Sequence, residues 1–418
     1  MSRRPRPDVI YVHQGVQRIY DSIAAVTRAG YSCRFLSGYY HKPGALPERL
    51  LDALPGRAAA RLRDRLYRRH SARLDARIVE RSWVQEFLMV AEVRLQRLFP
   101  RLILVRNFYI DVRAAIRVLM LRPRAVITCD TFALFTLRAA KRVGAVAILD
   151  QVIGHLAAGN RILAEENRLH PEISGTWRPS PERQVRRCIA EVLEADHILV
   201  PSPYVRDSVI AVGGGPARIS ILPYGADLAT FGRDAAPPPP PFRILFAGQI
   251  GMRKGVLYLL EAVRRANLPD AEVVLLGNID GDGAWLAPYR DLFVHVPHLA
   301  HKDIPPVFAS AHVYAYPSLH EGSTVSIYEA MATGLPVIAT PNAGSFVTDG
   351  EDGFILPVRD VDALCDRIVR LHADAALRDR LGAAARNRAA DFTWDAYSRR
   401  IGEILAQLIG PPGPDETN

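Results

Sequence analysis

Short runs of β-branched and other apolar residues alternate along the chain with longer segments whose apolar residues recur every three or four positions. The first half carries Val9-Ile-Tyr-Val12, Cys33-Arg-Phe-Leu36, Val126-Ile-Thr128, Val146-Ala-Ile-Leu149 and Ile198-Leu-Val200. The second half carries Arg243-Ile-Leu-Phe246, Val273-Val-Leu-Leu276, Phe293-Val-His-Val296, Val313-Tyr-Ala-Tyr316 and Val337-Ile-Ala339. Near-continuous apolar runs separated by helices predict parallel strands covered on both faces. The alternation occurs twice, so the expected fold class is α/β, with two doubly wound Rossmann-like domains and a cleft between them.

Between the two copies stand five consecutive prolines, Pro237 to Pro241. Such a run is stiff polyproline II and has no place in a central strand. The expected division is an N-terminal domain over 1–230, a Pro-rich linker over 231–242, a C-terminal domain over 243–395, and a C-terminal helix with a frayed tail over 396–418. One stretch breaks the α/β rhythm. From Arg57 to Arg81 there are nine arginines, interleaved with Leu62, Leu66, Leu74 and Ile78 at helical spacing. This predicts a basic amphipathic helix over 57–81, either packed on its own domain or lying on an anionic membrane surface.

Composition narrows the class. Hydrophobic residues are 49% and charged residues 23%, ordinary globular usage, and 418 residues suit two cores. The formal charge of +9 favours polyanionic partners such as nucleotide phosphates or lipid head groups. Four scattered cysteines, Cys33, Cys129, Cys188 and Cys365, form no zinc or disulfide pattern and fit a reducing compartment. The N-terminus runs directly into strand-like Asp8 to His13 without a signal-peptide pattern, and no stretch reaches the roughly 18 to 20 apolar residues of a bilayer span. A cytoplasmic protein, soluble or peripheral at the inner membrane face, is expected.

The richest chemical signal is Pro317-Ser-Leu-His-Glu321-Gly-Ser-Thr-Val-Ser-Ile-Tyr-Glu329-Ala-Met-Ala-Thr-Gly334-Leu-Pro336. A strand should end at Pro317, a helix should start near Ser323 or Thr324, and Gly334 should close it. The helix start offers free backbone N–H groups and a positive dipole end, suited to a diphosphate. Glu321 precedes the helix and Glu329 lies inside it, where carboxylates accept hydrogen bonds from sugar hydroxyls. A second signal is Phe246-Ala-Gly248-Gln-Ile-Gly-Met-Arg253-Lys254-Gly255, a strand, a glycine-containing loop and two adjacent cations. Cations there would stabilise charge on a departing phosphate. Gly277, closing Val273 to Leu276, permits close approach of the backbone to a nucleotide. Asp280-Gly-Asp282 has metal-site spacing but sits in a Gly-rich loop and reads as a turn; no metal site is expected.

These motifs resemble glycosyltransferase family 4, the retaining GT-B enzymes, over roughly residues 145–400. Glu321, Gly322, Glu329, Ala330, Met331, Ala332, Gly334, Pro336 and Val337 match its signature, whereas Ser323 and Thr324 replace the usual Phe and Gly. The resemblance implies that Glu321 contacts the transferred sugar, that Glu329 binds the ribose diol, and that amides around Ser323, Thr324 and Val325 hold the diphosphate. It assigns Lys254 to the phosphates, with Arg253 taking the role of an Arg that stands where this chain has Gln249. It places base recognition near His298 and Leu299 and gives Gly248 and Gly15 to the phosphate-side loops. It also puts His155 opposite the transferred sugar. From the residues alone, Gly15 is equally a turn glycine and His155 equally a structural residue.

The C-terminal domain is thus expected to hold a nucleoside-diphosphate sugar as donor substrate, without further cofactor, and the N-terminal domain a hydroxyl acceptor, free or lipid-linked. The expected reaction is metal-independent hexosyl transfer with retention, in polysaccharide or glycolipid assembly. A non-catalytic nucleotide-sugar-binding protein is the alternative, favoured by Gln249 and Ser323. A dinucleotide oxidoreductase would need Gly-x-Gly-x-x-Gly after the first strand, where Gly15 stands alone. No nucleic-acid partner is expected, since no groove-reading or aromatic-interleaved basic motif occurs.

Overall fold

The computed structural model describes residues 6–14, 17–67, 69–95, 98–99, 102–173, 177–232 and 241–413. Gly15 and most of the proline-rich linker therefore lie outside the described residues. The first sheet comprises β1 (Val9–Val12), β2 (Cys33–Leu36), β3 (Val79–Glu80), β4 (Ala125–Cys129), β5 (Val146–Asp150), β6 (His197–Val200) and β7 (Ile219–Ile221). Their spatial order is β3-β2-β1-β4-β5-β6-β7, parallel throughout. The second comprises β8 (Phe242–Ala247), β9 (Ala271–Leu276), β10 (Phe293–Val296), β11 (Val313–Tyr316), β12 (Val337–Ala339) and β13 (Gly353–Ile355), ordered β10-β9-β8-β11-β12-β13. Strands β1, β4 and β11 are buried along their whole length, as helix-covered parallel strands must be.

The apolar runs mark the central strands. Three strands had no such run: β3, β7 and β13 are two or three residues long and lie at or beside sheet edges. Pairing with an existing neighbour supports so short a strand, so its own hydrophobicity need not.

Strand order reverses direction between β1 and β4 in the first sheet and between β8 and β11 in the second. Loops leaving the carboxyl ends of adjacent strands diverge there and open a crevice, the usual ligand position in doubly wound folds. Both diagnostic sequence segments leave the second switch point, one after β8 and the other after β11.

The last helix, Trp394–Ile409, returns to the first domain. Trp394, Tyr397, Ile401 and Leu405 join the core that contains Tyr11, Ile23 and Phe35, and Ser398 Oγ donates to Ala25 O at 2.9 Å. The two chain crossings lie side by side: Ala226 N donates to Phe392 O at 2.8 Å, and Ala226 bridges Thr393. The start of the tail touches the first domain. Tyr31 Oη donates to Gly410 O at 3.0 Å, and Arg124 Nη1 donates to Pro411 O at 2.9 Å, so a tyrosine and an arginine of the first domain take up these C-terminal carbonyls.

The single basic helix expected over 57–81 does not form. A helix spans Arg57–Tyr67, and a 3₁₀ turn follows at Ala76–Ile78 with Asp75 as its cap. Leu66 and Leu74 are buried while Leu62 is exposed, so the apolar residues do not share a face. Four of the nine arginines pair with acids of the protein. Arg69 pairs with Glu86, Arg73 with Asp21 and Asp227, Arg77 with Asp75, and Arg81 with Glu48. Apart from Asp75, the partners that capture these charges are distant in sequence and invisible to helical periodicity.

Candidate active site

A cavity of about 420 Å³ opens at the carboxyl ends of the second sheet's strands, within the range typical of small-molecule sites. Gly248 and Lys254 reach it after β8, Gly277 after β9, His298 and Leu299 after β10, and Glu321, Ser323, Thr324, Val325 and Glu329 after β11. Residues separated by up to 81 positions thus share one wall because parallel strands deliver their loops to the same edge. Gln249, Asn278, Tyr316 and Ser326 also line it. Sequence reasoning did not name Asn278, Tyr316 or Ser326 as site residues, although each adjoins a recognised motif position or strand end.

The backbone there is tightly packed. Gly277 has φ +141°, and a Cβ on it would stand 1.9 Å from Gly248 O. No side chain fits between these two loops, so both can form the cavity floor as bare backbone. On the opposite side the helix Val325–Thr333 begins after Thr324, its N-cap residue. Thr324 does not cap it: its Oγ1 donates to Ala343 O at 2.9 Å. Ser323 Oγ pairs with Tyr328 Oη at 3.0 Å, and Ser326 Oγ donates to Ala247 O at 3.2 Å. The hydroxyls that replace the family's Phe and Gly are thus tied to protein groups, and the first-turn amides have no side-chain cap.

Charge is concentrated at Glu321. Arg253 Nη1 donates to Glu321 Oε1 at 2.5 Å and to His320 O at 3.0 Å, and Lys254 Nζ bonds the same carboxylate oxygen. Lys254 Nζ also lies 5.3 Å from the centre of the Tyr316 ring. Two cations therefore converge on one carboxylate at the cavity wall. Arg253 itself is not among the lining residues. Burial lowers the Arg253 pKa, against opposing contributions from Tyr316 and Asp280. Gln249 Nε2 donates to Asp280, whose pKa burial raises. Asp282 Oδ1 accepts from Ala284 N at 3.0 Å, a turn contact. Among the described residues no group of three or more His, Cys, Asp and Glu is placed to hold a metal ion.

The first domain closes against this segment. Gly154 N donates to Glu321 O at 3.0 Å, and Ser202 Oγ donates to Gly322 O at 2.6 Å. Gly322 does not line the cavity; it is the point of closest approach, since a Cβ there would lie 1.8 Å from Val152 O. His320 inserts its ring beside Gly154 and Gly159, and its Nδ1 is 2.6 Å from Tyr204 Oη. Burial, assisted by Arg253, lowers the His320 pKa to about 4, so the ring is neutral near pH 7.

His155 does not reach the cavity. It is fully buried, caps the helix Leu156–Leu169 by accepting from Ala157 N at Nδ1 (3.2 Å), and donates its own backbone N–H to Ser208 Oγ, 2.9 Å away. Its ring serves the helix start, close to His320, and it is His320 whose ring packs between Gly154 and Gly159 of the first domain. Gly15 lies outside the described residues.

Residues 241–374 match the family described as glycosyl transferases group 1. The chain is 28% identical to the D-inositol 3-phosphate glycosyltransferase of Paenarthrobacter aurescens over 243 residues, 52% of this chain and 59% of that protein. It is 27% identical to the sulfoquinovosyl transferase SQD2 of Arabidopsis thaliana over 252 residues, 55% of this chain and 48% of that protein. The chain spans about half the length of the curated relatives it matches. Among solved structures, the sucrose-phosphate synthase of Thermosynechococcus elongatus superposes with a TM-score of 0.65 at 20% identity, covering 96% of this chain and 99% of that one. The Anabaena protein HepE, in complex with UDP and glucose, superposes at 0.62 and 14% identity, covering 96% and 100%. The two-sheet arrangement is the GT-B fold.

Proposed function

We propose that the chain is a group 1 glycosyl transferase, the family that its residues 241–374 match, and that it moves a hexose from a nucleoside-diphosphate sugar to a hydroxyl acceptor with retention of configuration. The observation that carries this reading is the convergence of Lys254, Glu321, Glu329 and an uncapped helix start on one cavity, with Arg253 bound behind Glu321. A leaving diphosphate accumulates negative charge as the glycosidic bond breaks. Lys254, Val325 and Ser326 line the cavity proposed to receive that charge, and Arg253 would act on it from behind Glu321. Glu321 orients the sugar through its hydroxyls, and Glu329 takes the ribose diol. The acceptor hydroxyl attacks the anomeric carbon on the face the diphosphate leaves, and its proton passes to the departing phosphate oxygen. The two side-chain cations supply the charge stabilisation, without a metal or further cofactor.

UDP and glucose occupy the HepE complex, which supports a UDP-sugar as the first donor to test. The acceptor is a sugar or lipid-linked hydroxyl bound by the first domain, and the setting is polysaccharide or glycolipid assembly on the cytoplasmic side. No helix among the described residues is long and apolar enough to cross a membrane. The test is UDP-glucose turnover, with and without acceptor, in Lys254→Ala and Glu321→Ala. Loss of one stabilising group of this kind costs about 100- to 1000-fold. Unchanged turnover in both variants overturns the assignment, and a wild type that binds UDP-glucose but never cleaves it is a non-catalytic binder.

A further inference from the structure

Sixteen of the twenty-one large apolar residues exposed among the described residues fall between Leu46 and Met120. Singly scattered exposed apolar residues need no explanation, but this concentration does. It is ordered on the pair of packed helices Trp83–Leu95 and Leu102–Leu121. On the second, Val105, Phe108, Ile116 and Leu119 are all exposed. At 3.6 residues per turn these four occupy about 80° of arc along roughly 21 Å of helix. On the first, Val84 and Phe87 begin a stripe of the same spacing, with Phe87 72% exposed. Neither stripe is covered by the protein.

The charges of this hairpin are as telling. Its acids are Glu86, Glu92 and Asp111. Each is held by an arginine within the fold: Glu86 by Arg69, Glu92 by Arg106 and Asp111 by Arg187. Asp111 and Glu86 are themselves buried, so their charge is turned inward. Beside the second stripe, a groove of about 780 Å³ is lined by Leu104, Val105 and Phe108 on one side and by Arg183 and Arg186 on the other. Both of those arginines are exposed. An uncovered apolar face rimmed by cations, its own acids neutralised, is complementary to the interface of an anionic bilayer, where apolar side chains enter the acyl boundary and arginines meet head groups. A second copy of the chain would instead bring another arginine-rimmed face against the first.

We propose that the helical hairpin 83–121, with the arginine-rimmed groove beside it, docks the first domain onto an anionic membrane surface. This goes beyond the transfer reaction and is independent of it, since vesicle binding is read without turnover. The experiment is co-sedimentation of the full chain with vesicles of phosphatidylglycerol and phosphatidylcholine, compared with phosphatidylcholine alone. Binding to the anionic vesicles is expected to exceed binding to the neutral ones at least tenfold, and to weaken when salt rises from about 50 mM to about 500 mM. Phe87→Glu with Ile116→Glu should reduce it at least tenfold, and Arg183→Gln with Arg186→Gln several-fold. A cooperative thermal unfolding transition near that of wild type certifies that each variant is folded; Phe87→Ser is the milder substitute if the charged pair is not. Equal sedimentation of wild type and folded Phe87 variants, or no sedimentation of wild type, overturns the proposal. So does a wild-type dimer that the same substitutions convert to monomer without vesicle binding.

Discussion

Gly322→Ala is the sharpest test of how the first domain reaches the reacting groups. The added Cβ would stand 1.8 Å from Val152 O and 2.9 Å from Val152 C, whereas ordinary contact begins at 3.4 Å. Gly322 belongs to the loop after β11 and Val152 to the loop after β5, so the two domains, or these two loops, must part by about 1.6 Å to reach that contact. The Ser202–Gly322 and Gly154–Glu321 hydrogen bonds, 2.6 and 3.0 Å long, do not survive such a shift. Their loss costs about 1 to 3 kcal/mol together. The same displacement moves the Glu321 backbone, and a misplacement of about 1 Å at a reacting centre costs on the order of 100-fold in rate. The expected result is a roughly 100-fold fall in UDP-glucose turnover, with a much smaller effect on UDP affinity, because the cavity is built by the second domain. Gly232→Ala is the control, since the nearest atom to its Cβ would be 3.8 Å away. Turnover by Gly322→Ala within threefold of wild type would refute the reasoning.

Two further predictions separate structural from chemical roles. His155→Ala should lose about 1 kcal/mol of stability with the cap, His155→Asn should recover most of it, and UDP-glucose turnover should stay within about threefold in both; a 100-fold loss in the capping-competent Asn variant would make His155 catalytic after all. Asp150, whose carboxylate accepts Tyr11 Oη at 2.6 Å, is raised by burial from 3.8 to about 6, with a smaller push from Asp130. The folded protein therefore holds this proton more tightly than the unfolded chain. The group imposes no penalty below about pH 4, and stability is lost as pH rises through about 6. Asp150→Asn should stabilise the first domain by up to about 3 kcal/mol at pH 7.5 and by little at pH 4. Urea unfolding at the two pH values checks this, and an identical gain at both would show that ionisation of Asp150 is not the cause.

Much of the molecule was legible from local pattern. Buried parallel strands need apolar residues at successive positions, so Val9–Val12, Val273–Leu276 and Val313–Tyr316 announced themselves, and the glycines and acids around β8 and β11 carried the outline of the candidate site. What escaped was set by contacts distant in sequence. The edge strands β3, β7 and β13 form because a neighbour offers hydrogen bonds. The arginines of 57–81 stay off a single helical face because Glu48, Glu86, Asp21 and Asp227 claim them.

The chain alone determined the twice-repeated α/β alternation and the chemical kinds gathered near the second switch point, since strand periodicity and loop residue types are properties of neighbours along the backbone. Only the tertiary structure decided that Arg253 and Lys254 share the Glu321 carboxylate, that His320 reaches across to Tyr204 of the first domain, and that the last helix belongs to the first domain's core. The exposed stripes on 83–121 belong with these, because a helix with apolar residues on several sides does not reveal which side the rest of the protein will cover. Each outcome depends on which side chain wins a partner once the sheets are packed, and that competition is settled in three dimensions.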